Sequence, residues 1–246
     1  MKNFIKLVFS LGLIAAMVAG YFLFLRPNRG GSNRVMSERQ KMILAFLGNP
    51  AGHAAWMLPA GTVCSGAPFQ MPTDGYIGFV WDDSFSPNHH HTGLDIFGGD
   101  KSGRTPVYAA YDGYLTRESG WKSTLIIRIP SDPLQPGRQI WTYYTHMADR
   151  LGNDTIAEDF PPGTEEVFVE AGTLLGYQGN YSGDPLNPVG VHLHFSIVAD
   201  DGSGKFMDER LIENTLDPSP YFGMALNFDE NPSEVPLCPV QAGVLP

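Results

Sequence analysis

Two histidines stand two residues apart in the stretch Gly190-Val191-His192-Leu193-His194-Phe195-Ser196-Ile197. In an extended strand, alternation puts His192, His194 and Ser196 on one face and Leu193, Phe195 and Ile197 on the other. An apolar underside would fix two imidazoles side by side, one able to ligate a metal and the other to move a proton. Paired surface histidines would look the same, so co-ligands have to come from elsewhere in the chain. His91-Thr92-Gly93-Leu94-Asp95 offers an imidazole and a carboxylate four residues apart, with Gly93 allowing a sharp bend between them. Catalytic zinc takes three protein ligands of these types and keeps a fourth position for water. His91, Asp95 and His194 would make such a set. His146 ends the run Gln139 to His146, where alternation groups Thr142, Tyr144 and His146 against Trp141, Tyr143 and Thr145. Alone it reads as a structural histidine; with His192 it makes a pair of imidazoles outside the ligand set. His89 and His90 read as a solvated turn, and His53 as a structural or exposed residue.

Such a site needs strands to hold it, and the composition supplies them. The 246 residues include 28 Gly and 20 Pro with no fixed period, a pattern of short strands and frequent turns. Strand-like runs are Tyr76 to Trp81, Val107 to Tyr111, Tyr114 to Arg117, Ser123 to Ile129, Gln139 to His146, Glu166 to Val169, Leu174 to Gln178 and His192 to Val198. With no helical periods between them, they predict an all-β domain, an antiparallel open sandwich or barrel, over residues 68–222. The insert 149–163 reads as a surface loop and residues 223–246 as a Pro-rich tail. Before the domain, residues 27–67 form a linker and a short helix. Ser37 and Gln40 make a capping box ahead of Met42, Ile43, Leu44, Phe46 and Leu47, so a helix is predicted to run to about Gly48 and dock its apolar face on the domain.

Residues 7–25 are nineteen uncharged positions, long enough for a bilayer-spanning helix, so residues 1–26 read as a membrane anchor. Signal cleavage after Ala19 is the alternative, although Met17 stands where a small residue is wanted. Basic residues are denser after this segment than before it, which by the positive-inside rule argues for a cytoplasmic domain. Of 16 Lys and Arg and 26 acids in the chain, the first 42 residues hold seven and one, leaving the remainder with a net charge of −16. A domain that acidic repels phosphate backbones, which argues against nucleic acid as a partner. Cys64 and Cys238 fit no metal motif; one disulfide and two unrelated thiols both remain open.

His91-x-Gly93-x-Asp95 is followed by Gly103-Arg-Thr-Pro106-Val107-Tyr108-Ala109, Asp112-Gly113, Tyr144-x-His146, Ala171-Gly172, Gly176, Gly179-Asn180-Tyr181-Ser182-Gly183 and His192-Leu193-His194-Phe195. This order, from about Pro68 to Tyr221, resembles the M23 (LytM/lysostaphin-type) zinc peptidases. The resemblance implies one zinc ion on His91, Asp95 and His194, His146 and His192 as the catalytic pair, and a peptide bond of peptidoglycan, in stem or cross-bridge, as substrate. It also implies an extracytoplasmic domain, which is compatible with the basic flank because large following domains translocate despite such charges. Protein regulators are left open. The 149–163 insert and the loop from Asp184 to Val189 depart from the family pattern and bear on substrate preference. Two rivals remain. A cupin also carries His-x-His but expects a glutamate soon after it, where Phe195 to Gly202 offers only Asp200 and Asp201. A noncatalytic M23-like module would bind wall or activate another hydrolase, but such proteins lose site residues that this chain retains.

Overall fold

The structure, a computed structural model, describes residues 36–84 and 89–239. The apolar segment at 7–25 and the linker at 27–34 lie outside the described residues. Among the described residues, no helix is long and apolar enough to cross a membrane.

The described residues form nine strands, eight of them within or overlapping the runs read from the sequence and one, Leu94–Phe97, outside them. They are β1 (Tyr76–Phe79), β2 (Leu94–Phe97), β3 (Pro106–Tyr108), β4 (Gly113–Arg117), β5 (Leu125–Ile129), β6 (Ile140–Thr145), β7 (Thr164–Val169), β8 (Leu174–Tyr177) and β9 (Leu193–Ala199). Seven of them form one sheet in the order β1-β2-β9-β6-β5-β4-β7, while β3 and β8 pair separately. Every pairing is antiparallel, as the all-β expectation requires. The last strand in the sequence, β9, sits between β2 and β6. Its odd-numbered residues Leu193, Phe195 and Ile197 go into the main core with Leu94, Ile96 and Tyr144. The opposite face is left for the histidines. Further along that face Trp141 and Val198 are covered by Phe206 and Trp121.

The helix α1 (Glu38–Gly48) closes the β1–β2 end of the same face. Its capping box forms as predicted: Gln40 N donates to Ser37 Oγ at 3.1 Å, and Ser37 N donates to Gln40 Oε1 at 3.0 Å. Ile43 and Phe46 pack on Tyr76 and Phe97. Arg39, also buried, donates to Gly78 O at 3.3 Å and to Asn231 Oδ1 at 2.9 Å, and its Nε lies 3.7 Å from Asp83. Ser37→Ala is expected to lower stability by about 1 kcal/mol, the ordinary value of an N-cap, measured by urea denaturation. An unchanged denaturation midpoint would show that the cap adds nothing once α1 is seated.

The 149–163 insert is less free than a surface loop. Ile156 and Phe160 enter the main core, while the buried Arg117 pairs with Asp154 and donates to Phe160 O at 2.9 Å. The tail is pinned as well, because Cys64 and Cys238 form a disulfide across 174 residues of sequence. In the chain-entropy picture a loop of that length contributes up to about 5 kcal/mol. Downstream of β9 come a short 3-10 turn at Ile212–Asn214 and α2 (Ser219–Phe222).

Candidate metal and proton-transfer site

Strand order brings the scattered histidines together. In the β2–β9 ladder Asp95 stands opposite His194, and in the β6–β9 ladder Thr145 stands opposite His194 on the other side. His91 arrives from the segment just before β2. Gly93 forms the expected bend just before β2, but without a left-handed φ, so the bend alone does not demand glycine. Its role is close approach: a Cβ at Gly93 would stand 2.1 Å from Phe195 O.

Three donor atoms converge. His91 Nε2 lies 3.0 Å from Asp95 Oδ1 and 3.2 Å from His194 Nδ1, and those two are 2.9 Å apart. Tetrahedral zinc with bonds of about 2.0–2.1 Å would need edges of about 3.3–3.4 Å, so a few tenths of an ångström of outward movement accommodates it. Each histidine has its other nitrogen engaged. His91 Nδ1 donates to Val80 O at 3.0 Å, and His194 Nε2 donates to Glu209 Oε1 at 2.8 Å. These bonds leave His91 Nε2 and His194 Nδ1 as the nitrogens that face Asp95 and that a metal would take. Burial would raise the Asp95 carboxyl, but the histidines around it, His192 and His91 first, hold it well below the usual carboxylate range. Burial would likewise lower His194, yet Glu209 and Asp95 outweigh it and raise the imidazole above its ordinary range. Without metal, His194 therefore carries a proton between two carboxylates. A metal ion at this cluster would have to displace that proton, and its binding would weaken as pH falls.

The other two histidines meet beside this cluster. Simple alternation would continue His146 under the sheet with Tyr144, but the chain leaves β6 at Thr145 and His146 takes φ +68°. This left-handed residue turns its ring to the site face, 4.6 Å from the His192 ring and 6.2 Å from that of His194, centroid to centroid. His146 Nδ1 donates to Tyr181 O at 2.7 Å, and His192 Nδ1 donates to Gly190 O at 2.7 Å. His146 thus keeps Nε2 available as an acceptor, while His192 turns its Nε2 toward the Asp95 carboxylate. Burial, and then the neighbouring His192 and His194, push His146 down to about 4. His192 stacks on Phe97, its Nε2 3.3 Å from Asp95 Oδ1.

All five residues singled out from the sequence line one cleft of about 920 Å³. Ile43 and Leu47 of α1 form part of its wall, with Phe79, Val189, Leu211 and Ile212. His89 and His90 reach the same rim, where the exposed His90 pairs with Asp82. Sequence reasoning missed Glu209. The run Asp208-Glu209-Arg210 has no motif or period to mark it, and the available hint was chemical, that a buried ligand histidine needs a partner for its second nitrogen. Glu209 meets His194 through the nitrogen turned away from His91 and Asp95.

No protein-family model matches the chain, and no curated protein matches it. Among solved structures, Helicobacter pylori Csd3 aligns at 19% identity over 64% of this chain and 35% of its own, with a TM-score of 0.39. The catalytic domain of the antimicrobial peptidase lysostaphin from Staphylococcus simulans aligns at 21% identity over 61% of this chain and 89% of its own, with a TM-score of 0.37. For the catalytic domain of EnpA, a prophage-encoded M23 protein from Enterococcus faecalis, the values are 19%, 61%, 96% and 0.36. This chain thus spans about a third of Csd3 and most of the other two domains.

Proposed function

We propose that this chain is a zinc-dependent endopeptidase of the M23 type that hydrolyses peptide bonds of peptidoglycan outside the cytoplasm, held at the membrane by its N-terminal segment. The observation that carries the proposal is one juxtaposition. Three donor atoms within 3.2 Å of one another stand beside the paired rings of His146 and His192 in an open cleft. His91, Asp95 and His194 would hold the metal. The chemistry zinc supplies in a three-ligand site is a bound water with pKa about 7 and a polarised scissile carbonyl. His146 and His192 do the rest as a pair, accepting the proton of the attacking water, donating to the developing oxyanion and returning a proton to the leaving amine. Burial keeps His146 neutral and so able to accept at neutral pH. Peptidoglycan as substrate follows from the resemblance of the His91-x-Gly93-x-Asp95, Tyr144-x-His146 and His192-x-His194 segments to that family.

The purified full chain is expected to bind about one zinc and to release soluble peptides from peptidoglycan, with loss of both in His194→Ala. Peptidoglycan left intact by zinc-loaded native protein would favour a wall-binding or hydrolase-activating module instead. Digesting defined muropeptides and weighing the products identifies the bond cleaved.

A further inference from the structure

Glu209 belongs to none of the motifs that mark the site, yet three side chains converge on its Oε1. His194 Nε2 lies at 2.8 Å, Thr92 Oγ1 at 2.7 Å and Ser196 Oγ at 3.0 Å. A carboxylate oxygen only accepts, so all three donate to it. The bond from His194 keeps a proton on Nε2, so Nδ1, which faces His91 Nε2 and Asp95 Oδ1, is the nitrogen left for a metal. Thr92 directly follows His91, and Ser196 lies on β9 with His194. One carboxylate therefore ties together the two segments that carry the histidine donors, which are 103 residues apart.

We infer that Glu209 is a positioning residue of the metal centre. It holds His194 in the form that ligates through Nδ1 and clasps the His91 segment to β9. The inference rests on the zinc site proposed above and adds a residue to it. A carboxylate on the far nitrogen of a ligating histidine fixes ring orientation and strengthens the donor, and its loss typically costs 10–100-fold in metal affinity. Gln keeps an acceptor oxygen at the same reach, whereas Ala removes it.

The test titrates zinc into the full native chain, E209Q and E209A against a chromophoric chelator at neutral pH. The expected result is a loss of about 10–100-fold in zinc affinity for E209A and a smaller loss for E209Q. E209A binding within about twofold of native, or equal losses in the two variants, would overturn the inference while leaving the zinc site intact; a native chain that binds no zinc overturns both. Because E209A could fail to fold, nitrogen-15 NMR of the zinc-loaded native chain gives a second decision. Metal on His194 Nδ1 with a proton on Nε2 is expected, and metal on Nε2 overturns the inference. In zinc-loaded E209Q the Nε2 proton signal is expected to move, and an unmoved signal would mark Glu209 as a residue that merely packs in place.

Discussion

His146→Ala is expected to cut peptidoglycan hydrolysis by about 10²–10⁴-fold, the usual worth of a positioned acid–base group, while zinc affinity stays within a few-fold of native. The separation follows from geometry. His146 contacts His192 ring to ring and has its Nδ1 on Tyr181 O, and it is absent from the three-donor cluster. Removing it leaves the ligands and their outer hydrogen bonds untouched. One complication is the backbone, since Ala at φ +68° carries a left-handed strain of about 1–2 kcal/mol. Asn tolerates that conformation better, so His146→Asn keeps the turn and discards the imidazole. Both variants should therefore be inactive and well folded, with His146→Asn the more stable. The ring stays neutral until pH falls toward about 4, so protonation of His146 takes no activity from the native chain between pH 8 and about pH 5. Steady-state hydrolysis across that range, alongside zinc titration, checks both statements. Activity within tenfold of native in His146→Asn would remove His146 from the chemistry.

What could be read from the sequence was whatever is encoded within one element. The His192–Ile197 alternation is local, and its apolar residues do form the floor of the sheet. The Ser37–Gln40 box is local too, and it caps α1. What could not be read depends on partners far away in the chain. Leu94–Phe97 is only four residues between Gly93 and Gly98, too short for alternation to declare a strand, and it becomes one because β9 pairs with it. The face that His146 occupies is set by a single left-handed residue after β6, which a period-two pattern cannot anticipate. Glu209 is chosen by the buried nitrogen of a histidine fifteen residues earlier. Arg39 lies on the same helix, but its buried hydrogen bonds to Gly78 of β1 and to Asn231 depend on segments 39 and 192 residues away. The site was legible as a set of residue types, whereas its orientation is a property of the sheet.

Gly93→Ala is expected to destabilise the chain by about 3 kcal/mol or more, the upper range for overpacking, and to weaken zinc binding with it. The added Cβ would stand 2.1 Å from Phe195 O, 2.8 Å from Ser196 Cβ and 2.9 Å from Phe195 C. Two of those three atoms are backbone, so no rotamer change relieves the clash. Phe195 is fully buried, and β9 is held by β6 on its other side, so the strand cannot retreat. The strain must therefore open the β2–β9 ladder, in which Asp95 faces His194. Moving those strands apart separates Asp95 Oδ1 from His194 Nδ1, now 2.9 Å apart, so stability and metal affinity should fall together. Gly48→Ala serves as the control, since a Cβ there meets nothing within 4 Å, and it is expected to be neutral or slightly stabilising. Urea denaturation with and without zinc distinguishes the two. A Gly93→Ala chain with native stability but poor zinc binding would mean that β2 shifts without cost, so that glycine is required for the register of the metal donors and not for the fold.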